Sequence, residues 1–551
     1  MEVGGDVARQ AGVGMGRHPA RQRGDRLNEV AELIATSHCL IAPKRLGKSP
    51  RRARPNRVEG GITVKLPSHT RVAIVGAGFS GLCMAIRLKQ EGIHDFVVLE
   101  KADGVGGTWR DNTYPGCQCD IPSALYSFSF APNPDWTRFY PLQSEIRDYL
   151  RRCARDFGLT PYIRFGHELL GAAWDDQRSR WRLETSDGSV TADVLVSGMG
   201  GLSHPSVPEL PGLDRFEGTA FHSARWDHGH DLTGERVAVI GTGASAVQFV
   251  PRVQPQVGRL HLFQRTPAWV LPDPDRPVSG LERRLFRRLP ATQRALRGAI
   301  YLLQEATVLG TIVDRRLSRG LEVIARRHLE RQVADPALRA KLTPSYLLGC
   351  KRITLSDAYY PAITQPNVEL ITDQISEVRP RSIVTADGSE RELDTIIFGT
   401  GFRVLDHPAY SLVRGRDGRT LGEAWEGSPR AYLGTTVAGF PNLFLLVGPN
   451  SAGGYNSIVF TTEAHVNYVI ACLREMDRRR LQAVEVRPDV YEEFSRDTEE
   501  RLGRSVWNAG GCASWYLDAN GRNGVWWPGF TTRLWRRTRR FRPAEYRLQP
   551  A

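Results

Sequence analysis

The 551-residue chain has no run of about 18 or more consecutive apolar residues, so it lacks a segment suited to span a bilayer as a helix. Its nearest approach, AIYLLQEATVLGTIV, is interrupted by Glu305. The N-terminus shows neither an apolar h-region nor a small-residue cleavage site, which argues against secretion. Cysteine is sparse: there are eight, scattered, and only Cys117 and Cys119 lie close together. That usage predicts reduced thiols and a cytoplasmic setting. Acidic charge is in deficit, with 60 Asp and Glu against 74 Lys and Arg and a net charge of +14.

The basic excess is local. Residues 1–60 carry 12 Lys and Arg against 6 acids, residues 281–341 carry 14 against 6, and residues 531–551 carry 7 against 1. The rest of the chain is mildly acidic, so no nucleic-acid partner is expected. An Arg-rich solvated surface is the first reading, and peripheral membrane contact is left open. Apolar and charged fractions of 41% and 24% are ordinary for a globular protein, and the length predicts two to four domains.

Residues 1–66, including PKRLGKSPRRARPNR, lack sustained apolar periodicity and read as a basic, flexible extension, with Met15 an alternative start. Regular structure is expected from RVAIVGAGFSGLCMAIRLKQEGIHDFVVLEK. A short buried strand at 71–75 runs into Gly76, Gly78 and Gly81, a helix continues over 80–91, and a second strand ends in Glu100. Glycines at this spacing let pyrophosphate approach a helix N-terminus, and Glu100, 19 residues past Gly81, can accept from both ribose hydroxyls. GGTWRDNTYPGCQCD follows, with Gly106 and Gly107 letting the backbone pass close to a cofactor and Trp109 offering a flat apolar wall.

A second unit begins at RVAVIGTGASAVQFV, where Gly241, Gly243 and Ala246 fit the GxGxxG/A form. Its second strand, LHLFQR, ends in Arg265, where the first unit has an acid. A guanidinium there pairs with a 2′-phosphate that a carboxylate would repel, which favours NADP(H) over NAD(H). The fold expected is α/β, with two Rossmann-like dinucleotide-binding domains and a helical insertion. Two dinucleotide sites in one chain imply electron traffic between nicotinamide and flavin. The first unit therefore reads as an FAD domain, its first part at 67–213, and the second as the NADP domain at 214–391, with the insertion at about 275–345. The second FAD part and the C-terminal segment take 392–551, because ELDTIIFGTGF and PNLFLLVGPNSAGGYNS read as strands returning to the first domain.

Between the two fingerprints lies FEGTAFHSARWD, with Phe216, Gly218, His222 and Trp226 in an FxGxxxHxxxW spacing. With the two glycine motifs in this order, the chain resembles the type I Baeyer–Villiger monooxygenases, class B flavoprotein monooxygenases of the flavin-containing monooxygenase superfamily. The resemblance spans roughly residues 67–551, including GTGF at 399–402 and CASWYLDANGRN near the C-terminus. It implies FAD and NADPH as cofactors, and a ketone or related small molecule and O₂ as substrates. The implied product is an ester or lactone formed through a C4a-peroxyflavin.

The resemblance also assigns residues. Within GCKRITLSDAYY it implies Lys351 on the NADP phosphate and Arg352 beside the flavin, with Asp120 of YPGCQCD orienting Arg352. Thr108, Trp109, Asp120 and Tyr126 join the expected cofactor contacts, as do Ser245 and Thr266 in the second unit. His222 becomes part of an interdomain connector, not an acid or base of the chemical step. No metal site is expected. Cys117 and Cys119 read as packing residues, and the lack of a plausible dithiol disfavours a flavin-dependent NADPH oxidase or disulfide reductase. N- or S-oxygenation by the same cofactors is the nearer alternative, and Trp226 and Arg352 count against it as the sole activity.

Overall fold

The computed structural model describes residues 65–454 and 456–551. The basic extension expected over 1–66 therefore lies, but for its last two residues, outside the described residues, as does Met15. The first unit begins with β1 (His69–Val75), α1 (Phe79–Gln90) and β2 (Phe96–Glu100). From Val72 onward β1 is an apolar run buried on both faces, as β2 is up to Glu100, in keeping with strands of a parallel sheet. β3 (Ile163–Phe165), β4 (Leu169–Asp175), β5 (Arg180–Thr185) and β6 (Gly188–Ser197) complete the early part of this sheet. β1 lies between β6 and β2 and is parallel to both, with Ile74 level with Val196 and Val98. The sheet's ends of polypeptide direction thus bring the Gly76 turn and the 198–201 turn side by side.

The second unit is a five-stranded sheet. It contains β7 (Thr219–His222), β8 (Arg236–Ile240), β9 (Arg259–Phe263), β10 (Val368–Ile371) and β11 (Thr395–Phe398), ordered β10-β9-β8-β11-β7. α2 (Ala244–Val253) connects β8 to β9. All the pairings in this sheet are parallel. β11 sits between β8 and β7, so the second unit continues through Phe398. The return to the first sheet expected at 392 is early by one strand. ELDTIIF is apolar enough to be buried in either sheet, and periodicity does not say which. β12 (Val413–Arg414) and β13 (Leu443–Leu445) do rejoin the first sheet, pairing with β4 and β6.

The insertion is helical, as its spacing predicts: α3 (Gly280–Arg288), α4 (Pro290–Val308), α5 (Arg319–Gln332) and α6 (Pro336–Leu342). Ser279 and Glu282 form a capping box at the start of α3, each side chain accepting from the other's backbone N–H. Glu305, which breaks the longest apolar run, is fully buried and accepts from Asn456 and from the backbone and hydroxyl of Thr531. Burial nevertheless raises its pKa against those donors. No helix among the described residues is long and apolar enough to cross a membrane.

One covalent feature departs from the expectation of reduced cysteines. Cys350 and Cys512, separated by 162 residues, are joined in a disulfide. Sequence spacing carries no sign of such a distant pair. Cys117 and Cys119 are free and buried, and burial pushes the Cys117 thiol up to about 12. They pack, as expected, and are inert as nucleophiles.

Candidate active site

Gly76 adopts φ +97°, a conformation that L side chains rarely adopt, and this turns the chain from β1 into α1. At Gly81 a Cβ would lie 1.8 Å from the Gly76 carbonyl oxygen, so only glycine lets the helix pack on that turn. The N-terminus of α1 has no side-chain cap and no acid in its first turn. α2 begins the same way after Gly243. Uncapped N–H groups with a positive dipole end, in both places where the glycine fingerprints fall, suit the pyrophosphate of a dinucleotide. The start of α3, with its capping box and Glu282 in the first turn, offers no such opening.

Glu100 at the end of β2 is 5% exposed. Its two oxygens accept from the backbone of Ala77 at 2.8 Å and of Ala102 at 3.0 Å, and from Arg110 at 3.0 Å. The carboxylate is thereby fixed across the mouth of the Gly76 turn. Gly106 and Gly107 have φ values of +133° and +53°, and the Cα of Gly78 lies 3.1 Å from where a Gly107 Cβ would stand. Thr108 opens the short helix that carries Trp109. The Trp109 indole N–H donates to the Tyr126 hydroxyl at 3.0 Å, so both aromatics of the expected flavin wall are orientated by each other.

In the second unit, Arg265 is exposed two residues past the end of β9, where the sequence predicts a strand end. Lys351 approaches the same place and donates to the Thr266 hydroxyl at 2.6 Å. Burial lowers the Lys351 pKa, and the charge of Arg265 lowers it further. A half-buried cation beside a second cation suits a dianion, the charge that a 2′-phosphate carries. Ser245 lies in the first turn of α2, and Ala246 beside it is fully buried.

Next to Lys351, Arg352 reaches across to the first unit. Its Nε and one terminal nitrogen donate to the two oxygens of Asp120, each at 2.6 Å. Burial opposes its charge, but the charge and hydrogen bonds of Asp120 outweigh that and raise the pKa above the ordinary arginine value. The Arg352 side chain as a whole is 30% exposed, so it is not sealed into the core. A cleft lined by Asp120, Tyr140, Ala244, Gln248 and Thr354 runs between this pair and the start of α2. Sequence reading missed what holds Asp120 there. Gln248 of α2 accepts from Tyr114 at 2.9 Å and donates to the Gln118 carbonyl at 3.0 Å. Gln118 in turn donates to Asp275 at 2.8 Å. A glutamine on a helix carries no motif, so only the packing of two units reveals its work.

The connector motif folds as packing, not as a catalytic pair. His222 ends β7 level with Phe398, is 5% exposed, and its Nδ1 accepts from the Ala224 backbone at 3.1 Å. Its ring meets Phe402 of GTGF edge-on at 5.7 Å. Gly218 has no room for a side chain, because a Cβ would lie 2.2 Å from the Asp394 carbonyl and near the Phe216 ring. Trp226 packs on Phe249 of α2 at 5.4 Å. Burial lowers the His222 pKa to about 4, against the backbone of Gly401, so the ring is neutral at physiological pH. His222→Ala should therefore give a folded, flavin-loaded protein with slower turnover or poorer coupling. The pH–rate profile above about pH 5 should keep its shape, since a group already neutral there has no proton to lose. Loss of a single titrating limb with coupling intact would instead make His222 an acid or base.

A family model described as Flavin-binding monooxygenase-like matches residues 69–278. A Baeyer–Villiger monooxygenase of Streptomyces coelicolor is 53% identical over 485 residues, covering 88% of this chain and 93% of that protein. Among solved structures, cyclohexanone monooxygenase from Rhodococcus sp. Phi1 bound to NADP⁺ is similar with a TM-score of 0.78 at 29% identity, over 88% of this chain and all of that one. OTEMO in complex with FAD and NADP has a TM-score of 0.77 at 25% identity, over 87% of this chain and 99% of that one. With two dinucleotide folds and an arginine–carboxylate pair at their seam, and with identity of this order over most of its length, the chain belongs to the Baeyer–Villiger monooxygenases.

Proposed function

We propose that the protein uses FAD, NADPH and O₂ to insert one oxygen atom beside the carbonyl of a ketone, giving an ester or lactone. The observation that carries this reading is the bidentate Arg352–Asp120 pair spanning the two nucleotide units, one residue from the Lys351–Arg265 cation site. FAD would lie on the α1 N-terminus with its ribose at Glu100 and its ring system near Trp109, Tyr126 and Asp120. NADPH would lie on the α2 N-terminus at Gly241, Gly243, Ser245 and Ala246, with its extra phosphate at Arg265, Thr266 and Lys351.

When bound, the flavin takes hydride from NADPH and supplies the reduced ring that activates O₂. The chain's own contribution is electrostatic. Arg352 keeps its charge at any working pH, so it can stabilise negative charge on the attacking oxygen and on the carbonyl oxygen without exchanging a proton. Asp120 fixes the plane of the guanidinium, and the Gln248–Gln118 contacts fix the loop that carries Asp120. Tyr516, buried beside Arg352, helps keep water away from the charge. Work in the cytoplasm, on a diffusible ketone, completes the proposal.

No histidine or cysteine is placed by a motif for covalent flavin attachment, and the described free cysteines are all buried. Denaturing the yellow purified protein should therefore release FAD into the supernatant. Flavin left with the precipitate, or FMN in solution, contradicts this assignment. The activity itself is tested by a ketone panel with product mass and NADPH consumption measured together. A panel of amines and sulfides alongside it tests heteroatom oxygenation, which becomes the function if those alone gain oxygen.

A further inference from the structure

We propose that Cys350 and Cys512 form a thiol–disulfide switch that fastens the C-terminal segment over the arginine site when oxidised and loosens it when reduced. Cys350 is fully buried and immediately precedes Lys351 and Arg352. Cys512 begins the stretch that leads to Tyr516, which is itself buried against Arg352, Trp526 and Trp515. The bond therefore ties the residue before the cationic pair to the aromatic wall on its other side.

Apart from these aromatic contacts, the backbone of that stretch has few ties. The backbone of Gly510 accepts from Leu347 at 3.0 Å, and that of Tyr516 accepts from Gly524 at 3.2 Å. Between them the bonds are local: Ser514 accepts from the Tyr516 and Leu517 N–H groups. No helix or strand covers 510–530. Breaking the crosslink leaves residues 511–515 with no regular structure to hold them, and Trp515 is already 48% exposed.

The two sulfurs differ in access. The described free cysteines, Cys83, Cys117, Cys119, Cys153 and Cys472, are all buried, whereas Cys512 is half-buried between the exposed Gly511 and Ala513. Attack by an external thiolate would fall on Cys512, the less buried of the two residues, with Cys350 leaving as the thiolate. The second thiol of a dithiol then resolves the mixed disulfide. In balance, one sulfur–sulfur bond is broken in the protein and one is formed in the reductant, and two electrons and two protons pass to Cys350 and Cys512. A water-poor site protects the activated oxygen, so the looser, reduced form should release more of its oxidising equivalents as hydrogen peroxide.

The test uses the full-length, FAD-loaded protein, before and after dithiothreitol, and reads alkylated cysteines by peptide mass and hydrogen peroxide formed per NADPH. The peroxide reading needs no ketone, so it stands whether or not ester formation is found, although its interpretation rests on the flavin and NADPH sites proposed above. The expected result is that dithiothreitol uncovers Cys350 and Cys512 and raises peroxide release severalfold. Diamide should reverse both changes, and Cys512→Ser should behave as the reduced form and ignore dithiothreitol. Cysteines that become free without a change in peroxide release make the bond a structural staple and overturn the switch. Cysteines that are already free and cannot be closed by diamide overturn the bond itself.

Discussion

Arg352→Ala should bind FAD and still accept hydride from NADPH, yet form ester or lactone about 10²- to 10³-fold more slowly, the usual cost of removing one preorganised donor to a developing negative charge. Flavin bleaching under anaerobic NADPH reads the first property, and product formation in air reads the second. Oxygen consumed by the variant should appear as hydrogen peroxide. The separation arises because the guanidinium acts on the oxygen chemistry, while the nucleotide folds supply binding. Hydride transfer should slow to a lesser degree, since Arg352 is one residue from the Lys351 phosphate site. Asp120→Ala should shift both readings the same way but less, because the charge survives and its orientation by two 2.6 Å bonds is lost. Ketone oxygenation at the wild-type rate by Arg352→Ala would remove this arginine from the mechanism.

Arg265→Ala should raise the NADPH concentration needed for half-maximal rate and leave the NADH requirement nearly unchanged. A charged hydrogen bond is worth about 1.5–3 kcal/mol, or roughly 10- to 150-fold in affinity. Arg265 is exposed, so the lower half of that range applies. Lys351→Ala removes the half-buried cation of the same site and should cost NADPH at least as much. Stopped-flow flavin reduction at varied concentrations of each coenzyme checks both. Equal losses for NADPH and NADH would assign the two cations to structure alone.

The parts of this fold that were legible in the sequence are those set by local backbone demands. A strand, a positive-φ glycine and a helix packed on that glycine must be adjacent in the chain, so Gly76 and Gly81 announce the first unit, and Gly241 and Ala246 the second. The acid at Glu100 was legible for the same reason, since it ends the first unit's second strand, whereas Arg265, expected at the end of the matching strand, falls two residues past it. Arg352 and Asp120 came from resemblance, because 232 residues separate them and no periodicity joins them. What stayed hidden depends on tertiary neighbours. Gln248 looks like any polar helix residue until the Tyr114–Asp120 loop is laid against it. The strand Thr395–Phe398 fits either sheet by its apolarity, and only its pairing with β7 and β8 decides. Cys350 and Cys512 are small buried and half-buried residues whose proximity is a property of the closed chain.

The most direct measurement supplies NADPH, a ketone panel and isotopically heavy O₂ to the purified holoenzyme, and follows label and coenzyme together. The expected product is an ester or lactone carrying one heavy oxygen atom, with one NADPH consumed for each product molecule. NADPH consumed with peroxide as the sole oxygen product across the panel would contradict the proposed function.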